Sequence, residues 1–238
     1  MAGIDIDWEP LRPKDLRPVN ALLVALRKAD PHALLTMPLT PTGLNDGASS
    51  PFLATIARHL NQLNLMTYGM EGYPSWGGWN SWHSSALHGA SANTPSDVET
   101  AVSNVEATGV PAAKIGVGVG FFGQCWSGVT GPGQDITHAQ IVVPEMPYRD
   151  IATNYYNATL YNNDTTAAAS YLGSTTAFGP KGCTYLSYED NYSIDAKGEW
   201  AQAQGLGGAI VWAIPDGHFS GATHPDALLG TVMTAFGA

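Results

Sequence analysis

The residues with the plainest chemistry stand at the front of the chain. Gly3-Ile4-Asp5-Ile6-Asp7-Trp8-Glu9 alternates apolar and acidic side chains. A period of two reads as a strand, and residues i, i+2 and i+4 of a strand share a face. Asp5, Asp7 and Glu9 therefore point one way. Ile4, Ile6 and Trp8 point the other, where burial is expected. Three carboxyl groups crowded on one face repel, and each ionisation raises the pKa of the next, so one keeps its proton near neutral pH. A general acid is made in this way. The competing reading is a surface strand with an acidic outer face. It is the weaker one, because Asp is depleted in strands and the opposite face is apolar. Asp7 and Glu9 would stand about 6.5–7 Å apart along the strand, on one side of any substrate.

Five strands are expected to position these groups, each followed by a helix except where a longer mixed region intervenes. Pro10 and Pro13 end the first strand. Leu16 to Lys28 carries Val19, Leu22, Leu23 and Leu26 on one stripe and reads as a helix. Leu34 to Leu39, Leu63 to Tyr68, Ile115 to Phe122 and Ala209 to Ile214 read as the other strands. Phe52 to Leu60, Pro95 to Ala107, Ser193 to Gln204 and Pro225 to Phe236 read as helices. Such alternation predicts βαβ units around a parallel sheet. Residues 124–188 form the mixed region, within a single domain over 1–238.

Composition narrows the function. The 238 residues are 44% hydrophobic and 13% charged, as in a globular protein. The net charge of −10 argues against nucleic acid and an anionic membrane surface as partners, and is compatible with a neutral polysaccharide. No apolar run is long enough to span a membrane, and no signal peptide is read at the N-terminus. Cys125 and Cys183 lack zinc-site spacing; they are either one disulfide or two buried thiols. No metal site and no cofactor is expected. His83 and His88, five apart, have no carboxylate partner at useful spacing and read as loop histidines. Gly118-x-Gly120-x-x-Gly123 matches a dinucleotide fingerprint as text, but its glycines lie inside a strand and open no helix. Asn157-x-Thr159, Asn163-x-Thr165 and Asn191-x-Ser193 are glycosylation sequons.

The opening stretch resembles the catalytic signature of the family 18 glycoside hydrolases, the chitinase family: Asp-Gly-x-Asp-x-Asp-x-Glu, matched by Gly3, Asp5, Asp7 and Glu9. The first Asp of the signature falls on Ala2, next to Met1, and Met1-Ala2 reads as a start codon and cloning scar. Further along, Leu65-Met66-Thr67-Tyr68 resembles the family's Met-x-Tyr. Ile115 to Gly123 resembles its seventh strand, Leu186 to Asp190 its Tyr-Asp-Asp segment, and Gly205 to Trp212 its eighth strand. The resemblance implies a partial TIM (β/α)8 barrel of five parallel strands, the family's fourth to eighth, with a small α+β insertion at 124–188. It also implies an extracellular protein.

By the same resemblance the substrates are chitin and chito-oligosaccharides, cleaved with retention by the substrate's own acetamido group. Glu9 would be the general acid and base. Asp7 would hold the acetamido N–H, Asp5 would set the pKa of Asp7, and Tyr68 would align the acetamido oxygen. Met66, Trp212, Gly69, Glu71, Trp76 and Tyr188 are the substrate-contact candidates. Gly69 replaces the Asp that the family places after Met-x-Tyr, and Glu71 is the candidate to reach the same space. Trp76, Trp79 and Trp82 divide between packing and sugar stacking. The rival readings are a non-catalytic carbohydrate-binding relative, a weakly active or inert fragment, and an endo-β-N-acetylglucosaminidase acting on glycans. The first strand and the Ala209–Ile214 strand would leave two open sheet edges, and a homodimer covering them is expected.

Overall fold

A computed structural model describes residues 3–237; the side chain of Trp76 also lies outside the described parts, as do Met1 and Ala2. In chain order the strands and helices are β1 (Gly3–Asp5), α1 (Leu16–Ala29), β2 (Leu34–Leu39), α2 (Leu53–Ala57), β3 (Gln62–Leu65), α3 (Val98–Glu106) and β4 (Ile115–Gly120). There follow β5 (Phe122–Ser127), β6 (Gln140–Pro147), α4 (Tyr148–Asn154), β7 (Tyr161–Asp164), β8 (Ala169–Phe178), β9 (Cys183–Tyr188), α5 (Asn191–Ala203), β10 (Gly208–Trp212) and α6 (Ala227–Ala235).

They build two sheets. The first is parallel and curled, in the order β1-β2-β3-β4-β10. The second is antiparallel, in the order β6-β5-β9-β8-β7, and is made by the chain between β4 and β10. Helices α1, α2 and α3 pack on the parallel sheet through Val19, Leu23, Ile56, Val98 and Val102, against Leu35, Met37, Leu63 and Leu65. Three of the helices are fastened at one end by a side chain. Asp97 accepts a hydrogen bond from Thr100 N at 2.7 Å, and Asp190 accepts one from Ser193 N at 3.1 Å. Both are N-cap bonds, which satisfy donors that a helix start leaves open. Arg27, in the last turn of α1, donates to the carbonyls of Ala33 and His59 at 2.6 Å each, tying that end to the approaches of β2 and β3.

The antiparallel sheet has its own core of Leu172, Leu186, Tyr188, Met146 and Ile151. Cys125 on β5 and Cys183 at the start of β9 form a disulfide across it. Gly118 stands in the interior of β4 and Gly120 at its end. A Cβ on Gly118 would sit 2.6 Å from Leu65 O, so the strand's closeness to its neighbour requires glycine there. Packing thus explains these glycines.

The first strand differs from the expectation. It ends at Asp5, with one further ladder bond from Ile6 N to Thr36 O at 2.8 Å, so Asp7, Trp8 and Glu9 lie beyond it. Its apolar side is buried only in part: Ile6 packs against the core, whereas Ile4 is 44% exposed and Trp8 37%. The physical reason is position. β1 is the outermost strand of the sheet and has only β2 beside it, so little protein covers its side chains.

Candidate active site

A cleft of about 1120 Å³ opens at the C-terminal ends of the parallel strands. Each of these strands, or the residues just after it, contributes to the wall: Asp5, Asp7 and Glu9 after β1, Leu39 to Thr42 after β2, Met66, Tyr68 and Gly69 after β3, Phe122 after β4, and Trp212 at the end of β10. Ligands of parallel α/β sheets bind at this end, because loops there can be varied while the strands stay rigid.

The carboxyl groups are not equivalent. Asp5 accepts a hydrogen bond from the Thr36 hydroxyl of β2. Asp7 and Glu9 are hydrogen-bonded to each other. Loss of solvent around Glu9, then the negative charge of Asp7 and the bond to it, hold the Glu9 carboxyl above the ordinary glutamate value. Glu9 stays accessible to a substrate, since its residue is exposed. An accessible carboxyl that retains its proton is a competent donor to a leaving oxygen. The crowding read from the sequence is therefore expressed chiefly between Asp7 and Glu9, with Asp5 held aside by Thr36.

Tyr68 stands against this group. Burial comes first and the charges of Glu9, Asp7, Asp5 and Glu145 follow; together they push the phenol far above its ordinary value. The hydroxyl is therefore a hydrogen-bond donor at any working pH. Its ring is fixed edge-on against Phe122, with centroids 5.8 Å apart. Thr67, one residue before, is fully buried and bonds both ways to Gly118 of β4, accepting from its N–H at 2.9 Å and donating to its carbonyl at 3.2 Å. That double bond-pair sets the direction in which Tyr68 leaves the sheet.

Trp212 is 52% exposed and presents its indole to the cleft. Its carbonyl accepts from Phe121 N at 2.8 Å. The peptide bonds Glu9–Pro10 and Trp212–Ala213 are both cis. Gly69 has φ +67°, and a Cβ there would meet nothing within 4 Å, so the wall is open where the resemblance places an Asp.

Two candidates fall elsewhere, and a third is not described. Glu71 is fully buried behind the wall and does not line the cleft. Tyr188 is buried in the core of the antiparallel sheet, facing Tyr148. The side chain of Trp76 lies outside the described residues. Of the other tryptophans, Trp79 lines the cleft, whereas Trp82 is buried and donates from Nε1 to Ser96 O at 2.8 Å. The histidines do have carboxylate partners, which sequence separation concealed. His83 Nε2 lies 3.0 Å from Asp164 of β7, and His88 Nδ1 lies 2.9 Å from Glu99 of α3. Among the described residues no group of three His, Cys, Asp or Glu side chains is arranged to hold a metal ion.

Sequence reasoning also missed part of the wall. Glu145 and Gln124 reach the cleft from β6 and β5, with Tyr73 beside them and Asp46, Ser49 and Ser50 on the loop before α2. No local signal marks these residues. Glu145 sits in an ordinary alternating strand, and only the pairing of β5 with β6 carries it to the mouth of the cleft.

The solved structures similar to this one are mostly chitinases, with a chitinase-like agglutinin from Robinia pseudoacacia among them. Chitinase ChiA74 from Bacillus thuringiensis superimposes with a TM-score of 0.76 at 26% identity, over 99% of this chain and 44% of that one. A group IV chitinase from Ostrinia furnacalis shares the fold, with a TM-score of 0.77 at 22% identity, over 100% of this chain and 69% of that one. Among curated proteins, Chitinase 63 of Streptomyces plicatus is 28% identical over 97% of this chain, and Chitinase A1 of Niallia circulans is 29% identical over 89%. The chain spans only 38% and 34% of the length of those two relatives. The model of the family described as glycosyl hydrolases family 18 matches residues 1–216, and with the carboxylates standing at the strand ends of such a fold, this chain belongs to that family.

Proposed function

We propose that the protein is a chitinase-like glycoside hydrolase that cleaves β-1,4-linked N-acetylglucosamine chains with retention of configuration. The parallel strands β1, β2, β3, β4 and β10 are read as the family's fourth to eighth, and the antiparallel sheet as its insertion. The observation that carries the proposal is the Asp7–Glu9 pair: an accessible carboxyl whose pKa is raised by loss of solvent and by the second carboxyl beside it, lining an open cleft.

In this reading Glu9 protonates the glycosidic oxygen as the C–O bond breaks. Both acids lie on one side of the cleft, so neither attacks from the opposite face. The acetamido oxygen of the substrate fills that role, the exception to the two-carboxylate scheme of retaining glycosidases. Asp7, once freed of the shared hydrogen bond, accepts from the acetamido N–H and stabilises the developing positive charge. The Tyr68 hydroxyl donates to the acetamido oxygen and keeps it in line. Trp212 offers a flat apolar face to the sugar ring. Water, deprotonated by the now anionic Glu9, opens the cyclic intermediate and restores the starting configuration. Substrates lacking the acetamido group have no nucleophile and are not cleaved.

An extracellular site of action is supported by the Cys125–Cys183 disulfide, since such bonds persist in oxidising compartments. No helix among the described residues is long and apolar enough to cross a membrane.

The test is hydrolysis of fluorogenic chitobioside and chitotrioside between pH 4 and 9, with the anomeric form of the first product read by NMR. Retained configuration and no release from the corresponding glucosides support the mechanism. Binding of chito-oligosaccharide without turnover would replace it with a carbohydrate-binding role. Release from N-linked glycans in preference to chito-oligosaccharides would make it an endo-β-N-acetylglucosaminidase.

A further inference from the structure

Glu71 is a buried acid that this mechanism does not use. Its residue has no solvent exposure, and neither carboxyl oxygen has a hydrogen-bond partner among the described residues. Ser84 stands beside it, and the charged group that acts on it is Glu145, another carboxylate. Its charge acts on both Tyr73 and Tyr185. Two further buried polar atoms, Ser84 Oγ and Gln124 Oε1, also lack partners among the described residues.

The segment that carries Glu71 is a wall of the cleft. Met70 lines the cleft and its N–H donates to Ser84 O at 2.9 Å. Gly72 has φ +85°, and the Trp79 ring lies so close that a Cβ would come within 2.8 Å of it. Tyr73 lines the cleft and is hydrogen-bonded to Gln124, which also lines it. Glu71 thus points inward while Met70 and Tyr73 on either side of it line the cleft.

We propose that Glu71, in its neutral form, is a positioning residue that anchors segment 70–73 from behind and holds Tyr73 and Trp79 in place to receive the sugar chain. This rests on the reading of the cleft as a chito-oligosaccharide site. An ionised Glu71 would be a buried charge facing a second carboxylate, with only the Ser84 hydroxyl and its own backbone amide nearby to favour it, and the segment must then move to bring it water. Burial raises its pKa from 4.5 to about 7, so the change falls at ordinary working pH. The raised value means that the fold favours the protonated form. The stabilisation is full below pH 4.5 and is lost as pH rises through about 7.

The experiment compares the parent with Glu71→Gln, which keeps the shape and cannot ionise. Amide hydrogen exchange of peptides covering 70–80 is followed at pH 6 and pH 8, corrected for the intrinsic rate. Chitotetraose affinity is measured over the same range in a Glu9→Gln background. The parent should lose protection in 70–80 by at least ten-fold on going to pH 8, while Glu71→Gln keeps it. Affinity should fall in step in the parent and be independent of pH in the variant. Equal exchange of parent and variant at both pH values would overturn the anchor. Exchange that changes while affinity does not follow would overturn the positioning role. Failure of chitotetraose to bind at pH 6 would count against the proposed function, and the exchange comparison would still decide for or against the anchor.

Discussion

Two acidic sites in this molecule are built from the same side chain and behave oppositely. In the lining of the cleft, Glu9 is exposed and bonded to Asp7, a second acid. On the other side of the cleft's framework, Glu189 is 2% exposed and meets Lys197, which is fully buried, with Nζ at 2.8 Å from both carboxyl oxygens; Ser193 donates a third bond. An acid paired with an acid keeps a proton to give. An acid paired with a buried cation gives nothing and joins the end of β9 to α5. The difference teaches that partner and solvent access, not residue type, decide which carboxylates are chemical and which are structural.

The comparison is broken most sharply at its first member. Glu9→Gln should lower chitobioside turnover by about 10²–10⁴-fold, the usual worth of general acid catalysis, with the urea midpoint unchanged. Equal turnover by the variant and the parent would remove Glu9 from the mechanism. At the second member the opposite is expected. Lys197→Met strands a buried carboxylate and should cost about 3–5 kcal/mol of stability in urea unfolding, with much of it recovered in the Glu189→Leu/Lys197→Met pair. A variant as stable as the parent would show that Glu189 finds water instead.

Smaller effects sharpen the picture. Replacing Cys125 and Cys183 together by Ala opens a loop of 58 residues and should cost about 2–4 kcal/mol. No change in the urea midpoint would mean that the antiparallel sheet holds without its link. The least effect is at Asp164, whose carboxyl is drawn down to about 2 by its bond to His83 and then by the Ala167 and Thr166 amides, against a burial that opposes it. Its stabilisation is full above the unfolded value near 3.8 and is lost as pH falls through about 2. Partial exposure screens the pair, so Asp164→Asn should cost less than about 1 kcal/mol at pH 6 and flatten the acid limb between pH 4 and 2. An unaltered acid limb would show that His83 takes no part in it.

Much of this was legible in the sequence, for reasons that differ from residue to residue. Helix α1 and strand β2 were read within a residue of their observed ends, because Val19 and Leu23 and then Leu34 to Leu39 repeat at their own periods. Asp5, Asp7, Glu9, Met66, Tyr68, Gly69 and Trp212 line one cleft, each lying close to a strand end. Glu71 and Tyr188 do not, since a local pattern cannot tell which side of a loop or strand faces inward. The order of strands in the antiparallel sheet was not legible. Its register depends on pairings such as Gly123 with Tyr188, far apart in the chain. The partners of His83 and His88 were hidden for the same reason. The open edges at β1 and β10 keep the homodimer as a proposal, supported by the exposure of Ile4, Trp8 and Trp212.

The arrangement of β4 and β10 has a consequence for how the chain reaches its fold. They are neighbours, yet Gly116 pairs with Gly208, so roughly 90 residues must loop out before that ladder closes. Pairings between parallel strands of such separation are slow to form, because the entropy of closure is lost before any contact compensates it. The antiparallel sheet shortens that path once its hairpin-like pairings are made. On this ground β10 should be the last strand of the parallel sheet to join, bringing Trp212 to the cleft after the other wall residues.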